Sequence, residues 1–233
     1  MQFSDTFNSS PKFTGQVPLF PLPNVALFPN VMLPLHVFEP RYRQMVETVL
    51  NTDRIIALAA LKDDWQLSYE TKDCPIHETV CLGQIVAEER LSDGRYCLLI
   101  QGICRAQLLS EVETSLPYRV GQVSLVKDLY PTIPVIDRNR RQQELVHYFQ
   151  QIVADIDLDS SLIQALASDD VPLGELCDVI AHALRLDAQK AQRLLEQVDV
   201  DQRSDLVLEL LRHQCRPAKF NAQRTFPPKF SLN

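Results

Sequence analysis

Residues 17–38 read VPLFPLPNVALFPNVMLPLHVF, and this apolar, proline-broken stretch decides the fold. Prolines at positions 18, 21, 23, 29 and 34 exclude a helix, because proline removes a backbone donor and clashes with the preceding turn. The stretch therefore predicts extended chain with short strands, buried beneath the rest of the fold. We expect Phe20 and Phe28 to lie in the core.

A helix is predicted directly after this stretch. The residues Phe38-Glu39-Pro40-Arg41-Tyr42 open it, with Pro40 in the first turn, where its fixed backbone angle and missing N–H are tolerated. The apolar residues that follow have the spacing of one buried helical face: Tyr42, Met45, Val46, Val49 and Leu50. The helix is expected to end near residues 51–53.

Residues 55–126 have the pattern of a small β barrel. The segments with strand character are short and closely spaced: Ile55–Leu61, Trp65–Tyr69, Thr79–Arg90, Arg95–Gln101, Ile103–Leu109 and Tyr118–Val126. Asp93 and Gly94 mark a hairpin turn between two of them. Many short strands with one early helix predict a barrel rather than a parallel α/β sheet.

The pattern becomes helical after residues 130–134. From residue 137 to 215 the apolar spacing predicts four or five helices, with Asp187 and Asp199 as candidate caps. We therefore divide the chain into an N-terminal arm (1–16), a β domain (17–128), a helical bundle (129–215) and a basic C-terminal tail (216–233).

Composition argues against several classes of protein. The 233 residues carry a net charge of −7, and neither folded part has a legible basic face, so nucleic-acid binding is not expected. The longest apolar runs are far shorter than the ~20 residues of a membrane-spanning helix. Residues 1–7 lack the features of a signal peptide. We expect a cytoplasmic protein that does not bind membranes.

The motifs of common catalytic and cofactor sites are also missing. The six glycines form neither a P-loop nor a dinucleotide-binding motif, and the GxSxG and HExxH motifs are absent. Cys74 and Cys81 flank His77, but zinc needs four ligands and no second close pair is present. The acidic run 155–159 lacks the glycine and final glutamate of a calcium loop. The sequence thus predicts no metal, no cofactor and no enzymatic activity.

Several blocks of this sequence resemble the Lon N-terminal domain family, the substrate-recognition domain of the Lon protease, which also occurs as stand-alone proteins. The matching blocks are Pro18–Pro29, Leu33–Arg43, Met45, Leu82–Val86, Asp93–Tyr96, Gln101–Arg105 and Tyr118–Val120. Two positions depart from the family pattern. Asn30 stands where a glycine is usual, and Ala106 follows Arg105 where an aromatic residue is usual.

The resemblance implies an α+β fold, in which a PUA-like β pseudobarrel with one early helix precedes an α-helical bundle. It also implies a stand-alone member without the ATPase and protease domains. Our leading hypothesis is a non-catalytic protein that binds exposed apolar segments of unfolded or partner polypeptides, with strand addition at an open barrel edge as one mode. The sequence has no Walker A motif for the ATPase domain of full Lon and no partner for a catalytic serine. Two alternatives stay open: a small-ligand or nucleic-acid module like other PUA-like barrels, and an unrecognised hydrolase.

The binding residues predicted from the sequence are Val31, Met32, Leu33 and Trp65. The stretch 19–35 holds more apolar side chains than a short extended segment can hide, so we expect Val31, Met32 and Leu33 to be partly exposed. Trp65, the chain's one tryptophan, is either a recognition anchor or packed against the barrel.

We interpret the motif from Phe38 to Tyr42 as structural. Glu39 is expected to cap the following helix, and Arg41 to pair with a carboxylate where the barrel meets the helix. The alternative interpretation is a charged rim that anchors a bound peptide.

The C-terminal tail has a composition of its own. It contains four basic and no acidic residues, interleaved with Phe220, Phe226 and Phe230, whereas residues 129–215 carry eight basic and fifteen acidic residues. This contrast predicts an arm that docks on its own chain or on a neighbouring chain. Docking on a neighbouring chain would make a homo-oligomer. The alternative is a disordered end.

Overall fold

The structure, a computed structural model, describes residues 14–63, 65–69, 71, 73–153, 166, 168 and 170–215. The predicted basic tail, residues 1–13 of the arm and the acidic run 155–159 lie outside the described residues. The elements, in chain order, are β1 Gln16–Leu22, β2 Met32–Val37, α1 Pro40–Leu50, β3 Ile55–Ala60, β4 Thr79–Arg90, β5 Tyr96–Val112, β6 Arg119–Val126, α2 Arg138–Val153, α3 Leu173–Ala183, α4 Ala188–Glu196 and α5 Val200–Cys215.

The six strands form one sheet that closes on itself. Their order is β2-β5-β4-β3-β1-β6, and β6 also pairs with β5, so β1, β3, β4, β5 and β6 make a ring. β1 runs parallel to β3 and antiparallel to β6, which makes the sheet mixed. The long strand β5 pairs with β2 along its first residues and with β6 along its last. This arrangement confirms the predicted α+β class, with a β pseudobarrel followed by helices.

Two of the predicted strands form one continuous strand in the structure, and a third predicted strand does not form. β5 runs continuously through both Arg95–Gln101 and Ile103–Leu109, apart from Arg95 itself. Trp65–Leu67 forms a 3₁₀ turn instead of a strand. The Ser68 N–H donates to the Trp65 carbonyl at 3.1 Å, a local hydrogen bond within the turn.

The proline-broken stretch is buried as predicted. Phe20 and Phe28 are 4% and 1% exposed, which confirms both as core residues. Just after them, Asn30 has a φ of 62°, and its N–H donates to the Gly102 carbonyl at 2.9 Å. Asparagine tolerates this left-handed conformation better than other residues with a side chain, so it can stand where a glycine is usual. Gly102 itself must be small, because a Cβ there would lie 1.9 Å from the Phe28 carbonyl oxygen.

Helix α1 covers one face of the β2–β5–β4 sheet. Its buried side chains are Tyr42, Met45, Val46 and Val49, as the spacing predicts, whereas Leu50 is half-buried. They share an apolar cluster with sheet residues that include Val37, Leu98 and Ile100. One side of this part of the sheet is therefore closed by α1.

The remaining helices pack together and against the barrel. α5 contacts α2 and α3, and α4 lies on β4. Leu129, in the connection between the barrel and the helices, forms an isolated β-bridge with Asp199, the residue before α5. Four helices are described between residues 137 and 215, in keeping with the four or five predicted. The division of the chain at residue 128 stays a prediction. In the described part of the chain, no helix combines the length and the apolar character that crossing a membrane requires.

Candidate functional site

The outer face of the β2–β5–β4 sheet carries exposed apolar side chains along β2, whereas Gln101 on β5 and Glu89 on β4 add polar groups further from the edge. Side chains alternate along β2, so Leu33, Leu35 and Val37 lie on the α1 side and their neighbours on the other. We give the name β2 face to the part of this second side nearest the edge, which is formed by Met32, Pro34, His36, Phe38, Cys97 and Leu99. Phe38 follows β2 directly, and its ring centroid lies 6.2 Å from that of His36.

The composition of the β2 face is unusual for a solvent-facing sheet. An antiparallel sheet with one buried face normally presents polar side chains to water on the other. Here Met32 and Phe38 are 46% and 48% exposed, and Cys97 is exposed beside them. Apolar side chains grouped on a surface are typical of sites that bind other molecules.

β2 also lies at the edge of the sheet. Within the described residues it pairs with β5 and with no other strand. From Val31 to Phe38 the sequence has no Asp, Glu, Lys or Arg. Proteins commonly protect such edges with charged side chains or proline, and here Pro34 is the protecting residue.

The structure separates the residues that the sequence grouped as a binding site. Met32 is on the β2 face, and Leu33 is half-buried on the α1 side. The expectation that Val31 is partly exposed is wrong, because Val31 is only 5% exposed and packs in the same cluster as Phe28. The binding role of Met32 and Leu33 stays a prediction.

Trp65 is not part of the β2 face. It is half-buried against a second apolar cluster at the barrel, with its ring edge-on to Tyr69 at 5.3 Å between centroids. The Cys74 thiol donates to the Trp65 carbonyl at 3.7 Å. These contacts favour the packed interpretation of Trp65 over the recognition anchor.

Glu39 and Arg41 join the start of α1 to the loop before β4. The expected cap is wrong: Glu39 occupies the N-cap position, but its side chain makes no capping hydrogen bond. Its carboxylate instead accepts from Arg41 Nε at 2.9 Å and from the Tyr69 hydroxyl at 2.6 Å. Burial and the hydrogen bond to Glu39 raise the pKa of Tyr69 well above its usual value. The predicted pairing of Arg41 with a carboxylate is confirmed. The structural role of the whole motif stays a prediction, since Phe38 is exposed on the β2 face.

Five residues of the β2 face were not predicted as contact residues from the sequence: Pro34, His36, Phe38, Cys97 and Leu99. Strict alternation from Met32 to Phe38 could have indicated Pro34, His36 and Phe38, since every second residue of a strand lies on the same face. The opposite strand could not be paired from sequence alone, so Leu99 had no local signal.

A family model described as the substrate-binding domain of ATP-dependent protease La (LON) matches residues 16–213. The chain belongs to this family. The Lon protease of Xanthomonas oryzae pv. oryzae is 30% identical over 199 residues, which cover 84% of this chain and 22% of that protein. The Lon protease of Lawsonia intracellularis is 28% identical over 204 residues, which cover 88% and 24%. The chain thus spans about a quarter of the length of these relatives.

Solved structures share the fold of this Lon domain. The N-terminal domain of the Mycobacterium avium complex Lon protease matches with a TM-score of 0.65 at 16% identity, over 84% of this chain and 98% of that one. A Lon N-terminal domain protein from Xanthomonas campestris matches with a TM-score of 0.60 at 19% identity, over 83% and 97%. At these identities the likeness concerns the fold.

Three buried charged side chains and the half-buried Asp128 form a cluster that connects the barrel of this Lon domain to its helices. Arg105 on β5 contacts Asp178 on α3 and Asp128 at the end of the barrel. Arg203 on α5 contacts the same two carboxylates. The cluster holds two positive and two negative groups, so its charges balance within the seam.

The described residues of the Lon domain contain no group of three or more His, Cys, Asp and Glu side chains placed to hold a metal ion. Burial raises the pKa of the Cys177 thiol to about 12 and that of Cys104 to about 11. These two thiols are therefore protonated at neutral pH and unsuited to act as nucleophiles.

Proposed function

We propose that this Lon domain binds polypeptides without catalysis, through the β2 face, and recognises exposed apolar segments of unfolded or partner proteins. The exposed apolar side chains of Met32 and Phe38 on that face carry the proposal. The match to a substrate-binding domain family supports a role in substrate recognition. Burial of such side chains supplies the affinity, because removing apolar surface from water is favourable.

The proposal places the protein in the cytoplasm. All six cysteines are free thiols, and four of them are buried in the core. Free thiols persist in a reducing compartment, whereas proteins of oxidising compartments tend to use cysteines in disulfides.

The test compares two exposed apolar side chains at different places. Met32→Asp puts a charge on the β2 face, and we expect about tenfold weaker binding of reduced, carboxymethylated α-lactalbumin, equivalent to ~1.4 kcal/mol. Leu67→Asp is the matched control, because Leu67 is 94% exposed but lies in the loop before β4. Both variants should melt within a few degrees of the wild type.

Fluorescence anisotropy of the labelled α-lactalbumin gives the two affinities. Equal binding by the wild type, Met32→Asp and Leu67→Asp would show that the site is not on the β2 face. Weaker binding by Leu67→Asp alone would move the site to the loop before β4.

A further inference from the structure

We infer that the client joins the free edge of β2 as an added strand, and that the preferred client is an uncharged segment that is apolar on both faces. The inference rests on the proposed function and specifies its substrate class. Such a segment has the sequence of a strand from the centre of a sheet, not that of an amphipathic helix.

The backbone of β2 has hydrogen-bonding groups that point away from the sheet. The Gly102 N–H donates to the Val31 carbonyl at 2.9 Å, which makes Val31 a residue that bonds towards β5. Bonding direction alternates along an antiparallel strand, so Leu33, Leu35 and Val37 also bond towards β5. The N–H groups of Met32 and His36, and the carbonyls of Met32, Pro34 and His36, therefore point outward. An extended main chain is the partner that meets this spacing.

The side chains beside the edge are incompletely covered on both sides of the sheet. Leu33 and Leu35 are half-buried under α1, and Met32 and Pro34 are exposed on the β2 face. An added strand would cover both pairs at once. A helix lying on the β2 face would cover one side and leave the backbone groups unpaired.

The charge of the edge matches an uncharged client. Between Val31 and Phe38, His36 is the one titratable side chain. A charged client residue placed beside this edge would lose water without gaining a counter-ion, which is costly. An uncharged strand has no such penalty.

Pro34 favours a foreign segment over a second copy of this chain. Its missing N–H leaves one partner carbonyl without a donor in any pairing. If two β2 edges paired with each other, the prolines of both copies would each remove a hydrogen bond. A client that contains no proline loses one hydrogen bond, opposite Pro34 of this chain. Pairing with such a client is therefore less impaired than pairing of two β2 edges.

The first experiment uses labelled synthetic peptides of valine, isoleucine and threonine, measured by fluorescence anisotropy. N-methylation of every second residue leaves one peptide edge able to pair, whereas N-methylation of consecutive residues blocks both edges. We expect the first peptide to bind like the unmethylated one, and the second to lose at least about tenfold in affinity.

The second experiment changes the protein at an outward-pointing N–H. His36→Pro removes this donor, and His36→Ala removes the side chain but keeps the donor. We expect His36→Pro to bind the unmethylated peptide about three- to tenfold more weakly than His36→Ala. If His36→Pro fails to fold, the affinities of the two methylated peptides for the wild type test strand addition on their own.

The outcomes separate this inference from the proposed function. Equal binding of all three peptides, or binding of unfolded α-lactalbumin but of no peptide, overturns strand addition and leaves binding at the β2 face standing. Failure to bind either the peptides or unfolded α-lactalbumin overturns the proposed function itself. A dimer in light scattering that His36→Pro dissociates would assign the edge to a second copy and overturn the inference.

Discussion

The guanidinium of Arg105 on β5 and the carboxylate of Asp178 on α3 form a two-point ion pair, with Nη1–Oδ2 at 2.8 Å and Nη2–Oδ1 at 2.6 Å. Both side chains are 2% exposed, and Arg105 Nε also donates to the Leu195 carbonyl at 2.9 Å. A buried pair of this geometry holds the helices at a defined position on the barrel, because any sliding would leave a charge unpaired in the interior.

Arg105→Met should destabilise the fold by about 3 kcal/mol, because it leaves Asp178 with one weaker partner, Arg203 Nε at 3.5 Å. The double variant Arg105→Met with Asp178→Leu should lose less stability than either single variant, since it removes both charges together. Urea unfolding at neutral pH measures all three free energies.

The control for this prediction is a surface pair of similar geometry. Arg54 contacts Glu88 at two points, both at 2.9 Å, but both side chains are about a third exposed. Glu88→Gln should therefore cost less than about 1 kcal/mol. Strictly additive losses in the Arg105 and Asp178 variants would contradict the role of the buried pair.

Asn30 should be replaceable by glycine but not by a β-branched residue. Its φ of 62° is left-handed, a conformation that costs roughly 1–2 kcal/mol for ordinary side chains. Asn30→Val should lower the free energy of unfolding by about this amount, and Asn30→Gly should change it by a few tenths of a kcal/mol at most. Thermal unfolding of the two variants checks this, and equal stability would show that the left-handed turn is unimportant.

Tyr42 should make the fold less stable at high pH. Burial disfavours its phenolate and raises its pKa to about 12, with Arg41 partly opposing the shift. Its pKa in the unfolded chain is about 10. The folded state therefore holds the proton more tightly, and this stabilisation is complete below pH ~10 and is lost as pH rises towards ~12.

Urea unfolding over this alkaline range, in wild type and Tyr42→Phe, isolates the contribution of Tyr42, because the other titrating groups are common to both. The stability of Tyr42→Phe should fall less steeply with pH. Parallel curves would contradict the prediction.

The basic tail should dock on folded protein, either on a neighbouring chain or on its own. Its three phenylalanines could each contribute roughly 1.5–3 kcal/mol on burial, and its four basic residues complement the acidic residues of 129–215. If the tail docks on a neighbouring chain, deletion of residues 217–233 should lower the mass measured by light scattering; if it docks on its own chain, the deletion should raise the binding of an apolar dye. Replacement of Phe220, Phe226 and Phe230 by serine should have the same effect while keeping the charge. A truncated protein with unchanged mass, stability and binding of an apolar dye would contradict a docking role.

The sequence predicted the features that depend on neighbouring residues. Phe20 and Phe28 are buried, and α1 begins at Pro40 with its apolar stripe inward, because proline placement and helical spacing are local properties. The barrel was predictable as a class from the many short strands between Ile55 and Val126.

The candidate site was less predictable, because it depends on contacts between distant residues. Val31 was expected at the surface, but the turn at Asn30 and its hydrogen bond to Gly102 set which side chains of the next strand face inward. In a strand, a shift of one residue exchanges the two faces. Glu39 likewise has a partner, Tyr69, that lies 30 residues away, so its local pattern indicated a cap that does not form.

The pairing of the first strand with the last has a consequence for synthesis of the protein. Gln16 on β1 is opposite Gln122 on β6, so ribosomes must add about a hundred residues before this pair can form. At ~5–20 residues per second, that delay is roughly 5–20 s. Until then β1, with Leu19 and Phe20, can pair with β3 but lacks its β6 partner, so its apolar side chains are incompletely covered. The growing polypeptide is therefore most prone to aggregation before β6 emerges.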